Sequence, residues 1–422
     1  MRPTAVLIHF DELGLKGRSR PFFERRLRRR LDAALRGVVA KKVRADDGRM
    51  TVVLDDDTDV TAVTEVLRRV PGIAWYAPVF KVERQVEAFK RAAVELAADD
   101  TGSFRVTVKR ATKKFPVTSM EVARQMGAAI HLASGRPVNL KQPDHNYQLE
   151  ISERGAYLYS RREAGLGGLP PGMNGAVALL MSGGADSAIA GVRTMRRGAV
   201  IYPVHFFNAS VGVAPKAAGT RAEAARGPRV ADKAERMAAA LSRFQGHLTL
   251  TCVDFAPVQA AIHEAVSPRG RTLAYRRLMH EITSHVATRF ECAAVVTGDV
   301  IGQDAAQTIE SLALIYEKSR QPVLTPVAGD RREVLLETAR GFDLLATAAL
   351  PYEDCVHHRA EPRSAADVRP DILEEIRAFD PGDLVDAAVR EAERHAFKFG
   401  ERVVPRKDDA PAEDGAVDER PA

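Results

Sequence analysis

The stretch "AVALLMSGGADSAIAG", residues 176–191, constrains this chain more than any other. An apolar run enters a Ser-Gly-Gly turn, and a run of small residues leaves it. That pattern reads as a strand, a tight turn and a helix in immediate succession. The alternation then continues. Strand-like "AVIYPVHF", helical "ADKAERMAAALSRF", strand-like "LTLTCVDF", a long helix in "LAYRRLMHEITSHVATRF" and strand-like "CAAVVTGD" follow in order. Strands alternating with helices predict an α/β domain on a doubly wound, mainly parallel sheet. Ligands on such sheets lie at the carboxyl ends of strands, where these turns fall.

The first 166 residues have another rhythm. "TAVLIHF" reads as a strand, and "SRPFFERRLRRRLDAALRG" as a helix with Phe23, Leu27, Leu31 and Leu35 on one stripe, ending at Gly37. Strands around "KKVRA" and "MTVVLDD", a helix in "DVTAVTEVLRRVPG" and a strand in "IAWYAPVFKV" complete a βαββαβ order. That order predicts a ferredoxin-like domain over residues 1–80. Residues 81–166 carry a helix, a strand, the basic loop "KRATKKFP", a second helix and two further strands. The Gly- and Pro-rich "GLGGLPPGMNG" reads as a linker, assigned to 167–175, before a domain over 176–397. Residues 212–231 read as a mobile insertion, and residues 398–422 as a disordered tail without apolar periodicity.

A 422-residue chain that is 45% hydrophobic and 28% charged fits a soluble protein of several domains. No run approaches a membrane span, and "MRPTAVLIHFDELG" meets acids too early for a secretory signal, so a cytoplasmic protein is expected. The three cysteines, Cys252, Cys292 and Cys355, stand 40 and 63 residues apart. That spacing excludes a disulfide framework and any paired zinc or redox motif, and no residue is assigned as a metal ligand. Net charge is +6, but residues 1–50 alone hold 14 Lys/Arg against 6 Asp/Glu. Such clustering favours a polyanionic partner. In the loop 109–116, Lys109, Arg110, Lys113 and Lys114 surround Phe115. The cations suit phosphates, and the ring either stacks or packs.

Within "SGGADS", Gly183 and Gly184 let backbone amides close on phosphate oxygens, with a helix N-terminus behind them. Ser182 and Ser187 add hydroxyl donors. Asp186 suits a place beside Mg²⁺ or a bracing role in the loop. The Walker pattern G-x-x-x-x-G-K-[ST] is not what this turn carries. Cys355 lies in "PYEDCVHH", after Glu353 and Asp354 and before His357, His358 and Arg359. Cations beside a thiol lower its pKa and favour the reactive thiolate. Cys252 and Cys292 fall in apolar runs, where thiols are buried and inert.

"SGGADS" resembles the SGGxDS loop of PP-loop ATPases, which split ATP between its α and β phosphates and adenylate a substrate oxygen. "TGDVIGQDAAQT", 297–308, is similar to the TGExxGQxxSQT segment of the tRNA 4-thiouridine synthetase (ThiI) family. "LPYEDC", 350–355, is similar to that family's PYEDC, whose cysteine handles sulfur. "GLKGRSRPFFERRL" resembles its GxKGxNRxxFE stretch, and "KRATKKFPVTSMEVARQMGAAI" the KRxxKxFPxxSxExxxxxG run of its THUMP domain. The resemblance implies a THUMP RNA-binding domain over 81–166. It implies ATP contacts at Leu180 and Met181 before the loop, at His205 and Phe206, and at Arg276, Gly298 and Gln307. These join Ser182, Gly183, Gly184 and Ser187. The residues themselves agree in kind. His205 and Phe206 end a strand where an adenine stacks, although Phe206 equally suits a core. Arg276 suits a phosphate, one of Arg276 and Arg277 being expected as a surface cation, and Gly298 permits close backbone approach. Lys16, Arg20, Lys109, Arg110, Lys113, Lys114 and Phe115 are assigned to RNA, and Asp186 and Cys355 to catalysis.

Some relatives end in a rhodanese-like domain, carry a C-x-x-C pair near the helix here reading "LAYRRLMHEI", or have a second cysteine after PYEDC. This sequence shows none of these and has Val356 at the last, so neither a rhodanese relay nor an iron–sulfur cluster is expected. The implied reaction is adenylation of uridine 8 of tRNA at O4, with ATP and Mg²⁺. Sulfur from a persulfide on Cys355, or from an external donor, then replaces the oxygen to give 4-thiouridine. A cysteine desulfurase as upstream donor, a homodimer and a part in thiamine thiazole synthesis are further implications. Two alternatives stand beside it: another PP-loop tRNA modifier such as a 2-thiolase, and a THUMP-type tRNA-binding protein whose ATPase has decayed.

Overall fold

The computed structural model describes residues 2–10, 20–40, 43–46, 48–111, 114–208, 230–351 and 369–404, with backbone alone at 230–232. Two compact units divide the chain, Met1–Pro170 and Pro171–Ala422.

Unit 1 holds strands β1 (Ala5–Phe10), β2 (Arg44–Asp46), β3 (Arg49–Val53), β4 (Ile73–Val82), β5 (Phe104–Arg110), β6 (His145–Ile151), β7 (Ala156–Tyr159) and β8 (Glu163–Ala164). Its helices are α1 (Arg20–Ala34), α2 (Val60–Leu67), α3 (Val86–Leu96) and α4 (Ser119–Ser134). The sheet runs β2-β3-β1-β4-β7-β6-β5, with β8 on β4. The first four strands are antiparallel in the order 2-3-1-4, the ferredoxin-like arrangement. Leu27, Leu31 and Leu35 of the α1 stripe are buried against Val6, Ile8 and Val52, and Phe23 packs beside them. The 3.6-residue period therefore buries one stripe and leaves Arg25, Arg28 and Arg29 exposed, while Arg26 and Arg30 are half-buried.

β4 is one long strand that pairs with β1, β7 and β8. Ala5 pairs with Val79, whereas Phe80 pairs with Leu158 of β7. The boundary expected at residue 80 thus falls inside a strand, and one sheet runs through both halves of unit 1. A second apolar cluster, centred on Phe89, Phe104, Val122 and Tyr147, packs α3 and α4 on the far half of that sheet.

Unit 2 holds β9 (Ala176–Leu180), β10 (Val200–Phe207), β11 (His247–Asp254), β12 (Ala294–Val296), β13 (Val323–Leu324), β14 (Glu393–Lys398) and β15 (Glu401–Val403). Between them lie α5 (Ala185–Arg196), α6 (Val230–Gln245), α7 (Ala256–Ala265), α8 (Arg271–Arg289), α9 (Ile309–Tyr316), α10 (Arg332–Gly341), α11 (Leu345–Ala348), α12 (Pro370–Ala378) and α13 (Leu384–Glu391). The sheet order is β13-β12-β9-β10-β11-β14-β15, parallel from β13 to β11. β14 and β15 close that edge as an antiparallel hairpin. The tail expected from 398 therefore starts inside a hairpin: Ala396 pairs with Val403, and "RHAFK" pairs with β11 as an edge strand. Of the insertion expected at 212–231, residues 212–229 lie outside the described residues, as do 405–422, whereas 230 and 231 already belong to α6.

The chain leaves β9 toward β10 on one side, and returns from β11 to β12 on the other. The strand order therefore reverses between β9 and β12. Their carboxyl ends open the crevice in which doubly wound sheets bind ligands.

Candidate active site

The turn after β9 lies at that crevice. Gly183 has φ +82°, a left-handed conformation that a side chain resists. Gly184 is the N-cap of α5 and brings no side-chain cap, so the amides of the first turn are offered to a ligand. Ser182 Oγ accepts from the Gly184 N–H at 3.2 Å and lies 3.2 Å from Ser187 Oγ. The hydroxyls thus brace the turn from within. Asp186 accepts a hydrogen bond from Gln303 Nε2 at 2.9 Å.

The opposite wall follows β12. A Cβ on Gly298 would stand 2.4 Å from Ser187 N and 2.6 Å from its Cα, so the two backbones touch with no room for a side chain. Glycine here is a packing requirement that joins the two loops. Next to it, Asp299 is buried and heavily bonded. It accepts from Thr297 Oγ1 and Tyr316 OH, both at 2.7 Å, and from Gln307 Nε2 at 3.1 Å. Arg276 Nη2 also pairs with it, while Nη1 donates to the Ala306 carbonyl at 2.6 Å. Burial alone would raise the Asp299 pKa; Arg276, then His280 and the two hydroxyls, outweigh it and hold the group at about 2. His280, one turn along α8 from Arg276, is fully buried with its ring 4.8 Å from Tyr316, and burial pushes its pKa down to about 4.

The third wall ends β10. His205 is buried, and its Nδ1 lies 2.9 Å from the Met181 carbonyl, tying the ends of β9 and β10 together. Met181 is buried and Leu180 half-buried. Phe206 is buried edge-on to Phe255 at 5.4 Å, so its ring is part of the core. Arg277 corrects the expectation of a surface cation: its side chain is 3% exposed and pairs with Glu317 at 3.2 Å. Both arginines of the pair are therefore structural neighbours of carboxylates, and only Arg276 stands at the crevice.

Three further residues join the site without having been expected. Lys233 of α6 would meet a Cβ on Gly183 at 3.5 Å, placing its stem over the phosphate turn, and its Nζ donates to the Leu350 carbonyl at 3.0 Å. Gln303 holds Asp186, and Asp299 gathers Arg276 and Gln307. Lys233 had no signal beyond its charge. Asp299 and Gln303 lay within the recognised "TGDVIGQ" segment, where their roles depend on contacts no spacing reveals.

These residues suit a nucleotide phosphate chain. The glycine-lined turn, the uncapped helix and the remaining N–H groups of Arg276 supply donors. Gln303 Oε1 and Gln307 Oε1 are buried acceptors without a hydrogen-bond partner among the described residues, as expected where a ligand completes the network. Asp299, surrounded by four donors, has no oxygen to offer a metal, whereas Asp186 has only one oxygen engaged. No cluster of three metal-ligating side chains occurs among the described residues. Cys355 lies outside the described residues. Cys252 and Cys292 are buried, and burial pushes both thiols up to about 12.

In unit 1 the assigned cations separate. Arg20 donates to Glu24 at 2.6 Å and lies over the Phe10 ring, and Lys109 is exposed on β5. Arg110 donates to the carbonyls of Phe115 and Val117 at 2.9 and 2.8 Å, so it shapes the loop rather than pointing away from it. Lys114 is exposed and pairs with Glu153 at 2.8 Å. Phe115 is buried 5.7 Å from Phe89, which corrects its assignment as a stacking face: the ring fills the core. Lys16 and Lys113 lie outside the described residues. A cavity of about 530 Å³ is lined instead by Arg28 and Arg29 of α1, Arg44 of β2, and Arg154 from the β6–β7 turn, with Asp32 among them. Asp32 accepts the Val43 N–H at 2.7 Å and shapes the wall.

No helix among the described residues is long and apolar enough to cross a membrane. Comparison with known families finds the thiamine biosynthesis protein (ThiI) profile over residues 172–377, its ferredoxin-like domain over 5–77 and the THUMP domain over 83–161. A probable tRNA sulfurtransferase of Moorella thermoacetica is 36% identical over 355 residues, covering 83% of this chain and 87% of that protein. One from Staphylococcus aureus is 31% identical, covering 84% of each. Among solved structures, a 4-thiouridine synthetase–RNA complex with bound ATP superposes with a TM-score of 0.77 at 26% identity, over 94% of this chain and all of that one. Three domains in the same order, with an intact phosphate turn, place the chain in the tRNA sulfurtransferase family.

Proposed function

We propose that the chain is an ATP-dependent tRNA sulfurtransferase that converts uridine 8 of tRNA into 4-thiouridine. The observation that carries the reading is the crevice between β9 and β12. There a left-handed glycine turn and an uncapped helix meet Gly298 backbone to backbone, with Arg276 beside them. ATP is the first substrate. Uridine O4 attacks its α-phosphorus, the O4–P bond forms, and pyrophosphate leaves. The amides of residues 183–187 and Arg276 meet the charge that develops on the departing phosphates. Mg²⁺, when bound, neutralises phosphate charge there, and Asp186 is the residue that would hold it.

The second step uses sulfur. The terminal sulfur of a persulfide on Cys355 bonds to C4, and AMP departs with the former O4. A second thiol then cuts the S–S bond, leaving 4-thiouridine and a disulfide at Cys355. Cys252 and Cys292 are buried, and burial raises both thiols, so neither is placed to serve as this thiol. A cysteine desulfurase supplies the persulfide, and the same sulfur serves thiazole synthesis if the family's thiamine role extends here. The ferredoxin-like and THUMP domains hold the tRNA through phosphate charge and helix shape. A homodimer lets one subunit present RNA to the other's crevice.

The test is 4-thiouridine formation, read by nucleoside mass spectrometry. Purified protein is given tRNA, ATP and Mg²⁺, with either desulfurase plus cysteine or free sulfide. Cys355→Ser is expected to abolish thiolation from desulfurase while tRNA-dependent ATP–pyrophosphate exchange survives. Loss of both removes Cys355 as the sulfur handler. A 2-thiouridine product selects the other thiolase, and tRNA binding without exchange selects a binding protein.

A further inference from the structure

Thr297, Gly298 and Asp299 form a single short segment that touches both halves of the crevice. Gly298 rests on the Ser187 backbone, and Asp299, one residue on, gathers Arg276 from α8 and Gln307 from the turn before α9. We infer that Asp299 is a positioning residue: it fixes the Arg276 guanidinium and the Gln307 amide relative to the phosphate turn. This rests on the ATP-dependent reading of the crevice.

An arginine side chain has several rotatable bonds, and a site that stabilises developing charge needs its donors set before the charge appears. Arg276 is oriented at two points, by Asp299 through Nη2 and by the Ala306 carbonyl through Nη1. Gln307 gives its Nε2 to the same carboxylate, which leaves Oε1 as the end without a partner among the described residues. Asp299 is itself held by Thr297 and Tyr316, so it cannot turn to follow the guanidinium. His280 lies behind this group, its ring nitrogens without a hydrogen-bond partner among the described residues, and its ring packs on Tyr316. Arg276 is thus the cation that Asp299 directly pairs with. With its oxygens already surrounded by four donors, Asp299 acts on the nucleotide only through the residues it holds. The related family pattern TGExxGQ has glutamate where this chain has Asp299, so a carboxylate one methylene longer is the natural conservative variant.

Kinetics of ATP–pyrophosphate exchange with tRNA, run on the full chain, test the assignment. Asp299→Asn keeps the shape and removes the charge, and it is expected to lower kcat/KM for ATP roughly 100-fold. Arg276→Gln is expected to do the same, and the double variant to be no worse than Arg276→Gln alone, because the two residues act as one unit. Asp299→Glu is expected to recover activity to within about tenfold of the parent chain. Multiplying effects in the double variant overturn the inference, as does an Asp299→Asn protein that melts earlier but keeps kcat and KM. If Asp299→Asn does not fold, the comparison of Asp299→Glu with Arg276→Lys and their combination carries the same cycle. Calorimetric ATP binding to each variant separates this outcome from failure of the broader reading. A parent chain that binds ATP but performs no exchange rejects the proposed reaction, while the binding cycle still reports whether Asp299 acts through Arg276.

Discussion

Where the crevice of unit 2 presents backbone, the basic cavity of unit 1 presents side chains, and the two respond differently to change. The phosphate turn depends on a left-handed Gly183, an uncapped helix and a glycine pressed against the Ser187 peptide. Each is a property of one position, and one added carbon disturbs it. The cavity of unit 1 takes arginines from α1, β2 and the β6–β7 turn, and polar walls near Asp32. Its attraction for phosphate is a sum over several flexible cations, so losing one weakens it without destroying it. The unit 2 site is therefore exacting and local, and the unit 1 surface graded and dispersed.

The sharpest way to break that contrast is at Gly298. Its substitution by alanine places a methyl carbon 2.4 Å from Ser187 N, and neither backbone can retreat as a flexible side chain would. Gly298→Ala is expected to reduce ATP–pyrophosphate exchange by roughly 100-fold or more. tRNA affinity, measured by fluorescence anisotropy, is expected to stay unchanged. An enzyme that keeps near-normal exchange would show that the two loops are not pressed together as described.

The matching change in unit 1 is Arg28→Ala with Arg44→Ala. Each lost phosphate contact is expected to lower the slope of log affinity for tRNA against log salt by about one unit, and the pair by about two. Exchange at saturating tRNA is expected to remain. An unaltered slope would move the RNA path away from this cavity.

Acidification separates the units by a third route. His280 is neutral in the fold, with a pKa near 4 against an ordinary 6.5, because burial opposes its charge. As pH falls from 6.5 to 4 the unfolded chain takes up a proton that the fold refuses, so stability declines by roughly 3 kcal/mol over that window and is unaffected above it. Glu150 of unit 1 carries the same sign in a lower window, its pKa also being depressed by the fold. Burial works to raise its pKa, but His9 and Arg49, at 3.3 and 2.5 Å, hold it at about 2 against an ordinary 4.5. Its contribution is intact above 4.5 and is lost only as pH falls toward 2. Hydrogen exchange read by mass spectrometry at pH 7 and pH 5 is expected to show unit 2 loosening first, and His280→Leu to flatten that change. Parallel loosening of both units at pH 5 would contradict it.

The same contrast explains how much of the molecule was legible in the sequence. The βαββαβ order, the α1 stripe and the parallel sheet follow from periodicities of a few residues, and those appear in the fold. The phosphate turn was legible because glycine is required there for reasons internal to the turn. Phe115 was not: an aromatic within a basic loop reads alike whether it faces RNA or Phe89, and the core cluster around α3 and α4 claims it. Arg110 looked like a phosphate donor and instead bonds carbonyls five and seven residues away. The cavity of Arg28, Arg44 and Arg154 joins positions more than a hundred residues apart in sequence, a relation carried by strand order and not by any local run. Asp299 was read as part of a motif, yet its work depends on four donors from four places.

The smallest expected effect lies at Lys114, where both descriptions of unit 1 meet. Its side chain is 79% exposed and pairs with Glu153 at 2.8 Å, a contact that holds the lysine charge while both partners stay in water. Such a pair gains little from its Coulomb attraction and opens readily to a stronger anion. Lys114→Ala is therefore expected to leave the thermal midpoint unchanged and to lower the tRNA salt slope by about one unit, half the effect of the paired change in the cavity. Glu153→Gln supplies the complementary arm: releasing Lys114 from its partner is expected to strengthen tRNA binding slightly at low salt. If Lys114→Ala leaves the slope untouched while Glu153→Gln alters nothing, the loop belongs to solvent, and the graded surface of unit 1 contracts to the arginine cavity alone.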